Sequence, residues 1–158
     1  MATRSNIAVR VKSEDKGKTM HFNVGLLPKG KSYDSSYKHK IGDVTLDKDY
    51  IQIYHHWDGY PEGVGQTLID EFNDYGKALN LMLGGDASSI NGEVVVQYCS
   101  WGDEPWQDVK PTLLDEPKLN EEYLYKFEDG KWWVKAYYND GLKEWTDLEE
   151  YLKKLDEE

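Results

Sequence analysis

Four side chains able to do acid–base, ligating or hydrogen-bonding chemistry, His56, Asp58, Tyr60 and Glu62, alternate along His56-Trp57-Asp58-Gly59-Tyr60-Pro61-Glu62-Gly63. A histidine and a carboxylate two residues apart on a strand share one face, which suits general acid–base work or two ligands of a divalent metal. Either role needs a third group. Asp86 or His21 would complete a metal site, and Asp86 or Glu62 a hydrolytic pair. The glycines and proline that follow break the strand and lead into a helix, so the N–H groups of Val64, Gly65 and Gln66 and the positive end of the helix dipole would suit an anion. The glycine spacing fits neither the dinucleotide fingerprint nor the P-loop, and no lysine follows to meet a phosphate. A plainer reading stands beside these. Asp58 holds the Gly-Tyr-Pro turn, and His56 donates to a backbone carbonyl.

Other reactive residues are isolated. Arg4 precedes a strand and could grip a carboxylate or phosphate bidentately, or simply pair with a surface acid. Cys99 has no neighbour in sequence that would lower its thiol pKa and reads as a buried cysteine. His55, beside Ile53 on the apolar side of its strand, reads as a core or interface residue. Trp101 and Trp133 would form either a binding surface or a further layer of core.

The elements that must position these groups follow from periodicity. Ile7, Val9 and Val11 alternate with Asn6, Ala8 and Arg10, giving a half-buried strand, and Met20, Phe22 and Val24 suggest that it returns as a hairpin through the turn at 13–18. Residues 25–49 lack periodicity and read as a surface loop. Residues 50–57 alternate again, with Ile51, Ile53, His55 and Trp57 opposite Gln52, Tyr54, His56 and Asp58. Leu68, Phe72, Tyr75 and Leu79, widened by Ile69 and Met82, describe one long amphipathic helix ending at Gly84-Gly85. Val94-Val95-Val96 reads as a central strand and residues 100–120 as a loop.

Asp129-Gly130 is a type I′ turn signal between aromatic runs, and its register pairs Glu128 with Lys131, Phe127 with Trp132, Tyr125 with Val134 and Tyr123 with Ala136. Thr146-Asp147-Leu148-Glu149 fits a capping box that opens a last helix with Leu148, Leu152 and Leu155 on one side and a frayed tail at 156–158. The fold class is α+β: a single domain over 1–158, mainly an antiparallel sheet, with a long helix after the His-Trp-Asp-Gly-Tyr-Pro strand and a C-terminal helix packed on it.

At 158 residues the chain can bury a core without staples. A lone cysteine, an N-terminus without an apolar run and no long apolar stretch point to a soluble cytoplasmic protein with no membrane contact. The formal net charge of −11 is uneven: residues 1–50 hold ten Lys/Arg against six Asp/Glu, the remainder nine against twenty-four. An acidic body repels nucleic-acid phosphates and disfavours direct DNA or RNA binding. It fits a solvated surface better than an acidic imitation of nucleic acid.

Thr3-Arg4-Ser5-Asn6-Ile7, the His56–Gly63 segment, Gly85-Asp86-Ala87-Ser88-Ser89 and the run from Tyr123 to Trp132 together resemble, in that order, a family of small uncharacterised bacteriophage and prophage proteins. The chain departs from that pattern at Ala2 and at residues 13–49, which read as an insertion. The resemblance implies a phage accessory protein in the host-cell cytoplasm and brings no established reaction or cofactor. The resulting expectation is a non-catalytic binder of a host protein or small anionic ligand, using Arg4, His56, Asp58, Tyr60, Glu62 and Asp86. A hydrolase built on His56 and Asp58, and an acidic nucleic-acid mimic, are the alternatives.

Overall fold

The computed structural model describes residues 3–26, 38–91, 94–97 and 109–157. Cys99, Trp101, Trp106 and the 27–37 part of the expected loop lie outside them. An eight-stranded mixed sheet carries the fold, with helices packed on one side, so the expected α+β class holds.

β1 (Ser5–Arg10) lies inside the sheet, antiparallel to β4 (Tyr50–His55) and parallel to β8 (Tyr123–Glu128). It was expected to form a hairpin with the next strand. Instead Ile7, Ala8 and Val9 are all fully buried, a position with cover on both faces, and the strand takes partners distant in sequence. β2 (Thr19–Leu26) pairs with β3 (Lys38–Thr45) in a separate two-stranded sheet, so the described part of the expected 25–49 loop is largely strand. Phe22 and Val24 fix this ribbon against Val109 and Leu83.

Further along, β5 (Ala87–Asn91) joins β4 in parallel and pairs with β6 (Val94–Gln97). The Val94–Val96 run, expected to be central, thus lies in an edge strand of the sheet among the described residues. β7 (Thr112–Leu114) adds to β4 within a segment expected to be loop. β8 and β9 (Lys131–Ala136) form the C-terminal hairpin with Glu128 opposite Lys131 and Tyr123 opposite Ala136. Asp129 and Gly130 both have positive φ, 56° and 79°, as a type I′ turn requires.

The expected long helix is two. A π-helical turn (Pro61–Gly65) runs into α1 (Gln66–Glu71), and after a break α2 (Tyr75–Met82) begins at the N-cap Asp74, whose side chain accepts from the Lys77 amide at 2.8 Å. The break leaves the Phe72 carbonyl to accept the indole N–H of fully buried Trp132 at 3.0 Å. A buried indole needs such a partner. The predicted apolar stripe survives, because Leu68, Leu79 and Met82 are buried with Ile69, Phe72 and Tyr75 packed around them.

β10 (Thr146–Asp147) pairs with β9 and leads into α3 (Leu148–Asp156). Thr146 was expected to cap this helix. It is held opposite Val134, and the cap passes to Asp147, whose carboxylate accepts from the Glu150 amide at 3.1 Å. Asp156, expected in a frayed tail, is the last residue of the helix.

The core joins Ile7, Val9, Ile51, Ile53, Tyr125, Phe127, Trp132 and Val134 of the sheet to Val64, Leu68, Ala78, Met82, Leu148 and Leu152. The other face of the sheet is polar yet also covered. Gln52 makes two 3.0 Å hydrogen bonds to the backbone of Lys118, and Asn6 accepts the Asn120 amide at 3.0 Å. Residues 118–120 are thereby strapped across a face whose amides would otherwise be buried without partners.

Candidate functional site

The junction after β4 is built by close backbone approaches. The amides of His56 and Trp57 continue the parallel ladder onto Ala87 and Ser88. Asp58 then enters the left-handed region at φ 58°, and its carbonyl accepts the Val64 amide at 2.8 Å. A Cβ on Gly63 would lie 2.4 Å from that same carbonyl oxygen, so only glycine fits. Gly59 is equally confined: a Cβ there would lie 2.8 Å from the Thr3 carbonyl and 2.9 Å from Ser5 Oγ. Its N–H donates to Thr3, and its carbonyl accepts the Tyr125 hydroxyl at 2.6 Å. Asp58-Gly59 and the Thr3-Arg4-Ser5 segment, far apart in sequence, are thus two halves of one packing contact.

These bonds consume what would have held an anion. The Val64 amide is taken by Asp58 and the Gln66 amide by Pro61 and Gly63 carbonyls, so the helix start does not offer the row of amides expected of it. The sequence-derived residues are also dispersed. His56 shares a 2.6 Å hydrogen bond with the Tyr54 hydroxyl, and its ring meets Trp57 edge-on at 4.8 Å. Asp86 accepts the Tyr54 amide at 2.9 Å. His21 lies on the β2–β3 ribbon, 2.6 Å from Asp43. Among the described residues no three His, Cys, Asp or Glu side chains are grouped as metal ligands. Arg4 forms an exposed ion pair with Glu121 at 3.6 Å, a contact worth at most about 1 kcal/mol.

One pair was not anticipated. Register places Ser5 opposite His55, and Ser5 Oγ lies 3.1 Å from His55 Nδ1. Both side chains are fully buried, which closes them to any substrate and confirms His55 as a core residue. Burial, aided by the nearby His56, pushes the His55 pKa down to about 4, so the ring is neutral at pH 7. Its Nε2 has no hydrogen-bond partner among the described residues.

Two grooves remain to be compared. The larger, about 530 Å³, is lined by Arg10, Lys12, Lys16, Asp49, Tyr75 and Glu128 among others. Several of its charges are paired. Lys16 bonds to Asp49, Arg10 donates to the Tyr50 hydroxyl at 3.1 Å, and that hydroxyl donates to Glu128. Tyr75 donates to Asp15 at 2.7 Å, and burial followed by that carboxylate pushes its pKa up to about 12. This is a fastening at the end of β1.

The second groove, about 470 Å³, opens at the junction itself and is lined by Thr3, Tyr60, Glu122, Tyr123, Ala136, Tyr138, Asn139 and Asp140. Tyr60 reaches it from the turn and Tyr138 from just beyond β9, with 37% and 85% of their surfaces exposed. Tyr60 is the one member of the sequence-derived set to line it. The others escaped sequence reading, although the exposed pair Tyr137-Tyr138 at the end of a strand pattern was the available signal.

No protein-family model matches the chain, and neither a curated protein nor a solved structure matches it.

Proposed function

We propose that this protein is a non-catalytic binding protein that docks a partner protein on the tyrosine-lined groove around Tyr60 and Tyr138. Within the phage-accessory context that the sequence resemblance implies, the partner is a host protein met in the host-cell cytoplasm. The observation that carries the reading is where exposed aromatic surface collects. Of the five large apolar side chains exposed among the described residues, Ile41 lies on the β2–β3 ribbon, whereas the four aromatic ones gather here, Trp57 and Tyr60 at the junction and Tyr137 and Tyr138 beyond β9, and Tyr60 and Tyr138 line one groove. Tyrosine supplies wide contact area at small entropic cost and is enriched at interfaces. The Gly59 bonds to the Thr3 carbonyl and the Tyr125 hydroxyl fix the turn that carries Tyr60, and the hydrogen bonds of His56, Asp86 and the Val64 amide serve the fold.

This reading keeps the binding role expected from sequence and moves its centre from His56 and Asp58 to Tyr60. Affinity purification from infected host cells tests it. The wild-type chain should capture a protein that the Tyr60→Ala/Tyr138→Ala double variant loses and His56→Ala retains. Capture unchanged in the double variant, or a phosphoester or nucleotide hydrolysis abolished by His56→Ala, would overturn it.

A further inference from the structure

We propose that the Tyr60–Tyr138 groove receives a lysine or arginine side chain displayed by an exposed segment of the partner protein. The proposal rests on the reading of this face as the docking surface and names the chemistry it selects. Three tyrosine rings, Tyr60, Tyr123 and Tyr138, line the groove, and both charged residues lining it, Glu122 and Asp140, are acidic. Aromatic faces attract a cation through the ring quadrupole, and carboxylates beside them add Coulombic attraction and hydrogen-bond acceptors. Among the described residues no lysine or arginine lines the groove. Asp140 meets Lys143 at 3.0 Å with both side chains largely exposed, and Arg4, beside Thr3, pairs with Glu121.

The field at the groove wall has the same sign. The Tyr123 hydroxyl is held above its ordinary pKa by burial first and then by Tyr151, Glu62 and Glu122, which all disfavour a further negative charge there. Of these causes, the Glu62 and Glu122 carboxylates also favour a positive charge. An anionic ligand would meet Glu122 and Asp140, so this groove selects against the small anion considered from sequence. The volume, about 470 Å³, admits a long cationic side chain with its flanking backbone.

Two-dimensional NMR of the full chain tests this with three capped tripeptides as probes, glycine–X–glycine with X lysine, arginine or norleucine. The lysine and arginine probes should shift the backbone amides of Tyr60, Tyr123, Tyr138 and Asn139 saturably, with millimolar affinity that weakens as salt is raised. Norleucine should not. Tyr60→Ala and Tyr138→Ala should each weaken binding by about fivefold. Both side chains are partly or largely exposed, so the variants should keep the fold, which the rest of each spectrum reports. Equal shifts with norleucine, or shifts spread over remote acids such as Glu149 and Asp156, would overturn the cationic assignment. That failure is separable from failure of the docking surface itself, which is read from partner capture by the double variant.

Discussion

Acidification from pH 7.5 to 4.5 should destabilise this protein through one residue, His55. Its side chain is fully buried and, among the described residues, hydrogen-bonded only to Ser5, and burial lowers its pKa from 6.5 to about 4. The unfolded chain therefore takes up a proton near pH 6.5 while the folded chain resists until about pH 4. Because the folded pKa is depressed, the stability linked to this group is complete above pH 6.5 and is lost as pH falls toward 4. That interval, at about 1.4 kcal/mol per pH unit, corresponds to about 3 kcal/mol. Asp15, Asp49 and Asp147, whose pKa values are lowered from 3.8, lose their contributions below that window. Urea unfolding followed by tryptophan fluorescence at intervals from pH 7.5 to 4.5 measures the slope. His55→Met, a neutral residue of similar bulk, should flatten it while leaving Ser5 without its partner at a cost of about 1 kcal/mol at pH 7. A wild-type stability constant across this range, or an equal slope in His55→Met, would refute the reasoning.

Other consequences are local. Gly59→Ala places a methyl group 2.8 Å from the Thr3 carbonyl and should cost about 1–3 kcal/mol by overpacking, read as a lowered urea midpoint. Asp147→Ala should cost about 1 kcal/mol, which is about 2–4 °C in Tm for a chain of this size, whereas Thr146→Ala should cost less than half as much. Gln52→Ala removes both bonds that hold Lys118 and should raise amide hydrogen exchange at Lys118 and Asn120 well before global stability falls.

What the sequence disclosed divides by range of interaction. The β8–β9 hairpin was legible to the residue because a two-residue Asp-Gly turn sets its register locally, and the apolar stripe through Leu68, Leu79 and Met82 was legible because helical periodicity is local too. The partners of β1 were not. Nothing in Asn6-Ile7-Ala8-Val9 says that both faces will be buried, since Asn6 looks solvent-facing until the Asn120 amide reaches it. The helix break at Phe72–Asp74 was hidden for the same reason, being fixed by an indole 60 residues away. At the candidate site the reactive residue types of the His56–Gly63 segment drew attention to a junction whose contacts serve the fold. Gly59 and Gly63 are spaced by steric need, His56 is held by Tyr54, and the groove beside them joins Tyr60 to residues brought in by β8 and the chain after β9.

The central claim, that this groove and not the histidine–aspartate pair is the working surface, is tested most directly by site-specific photo-cross-linking in infected host cells. Tyr138→p-benzoylphenylalanine places the probe on an exposed wall of the groove, and Ile41→p-benzoylphenylalanine places it on the β2–β3 ribbon, also exposed. The account predicts a discrete adduct of one partner protein from position 138, lost on adding Tyr60→Ala, and none from position 41. No adduct at position 138, or the same adduct from both positions, would contradict it.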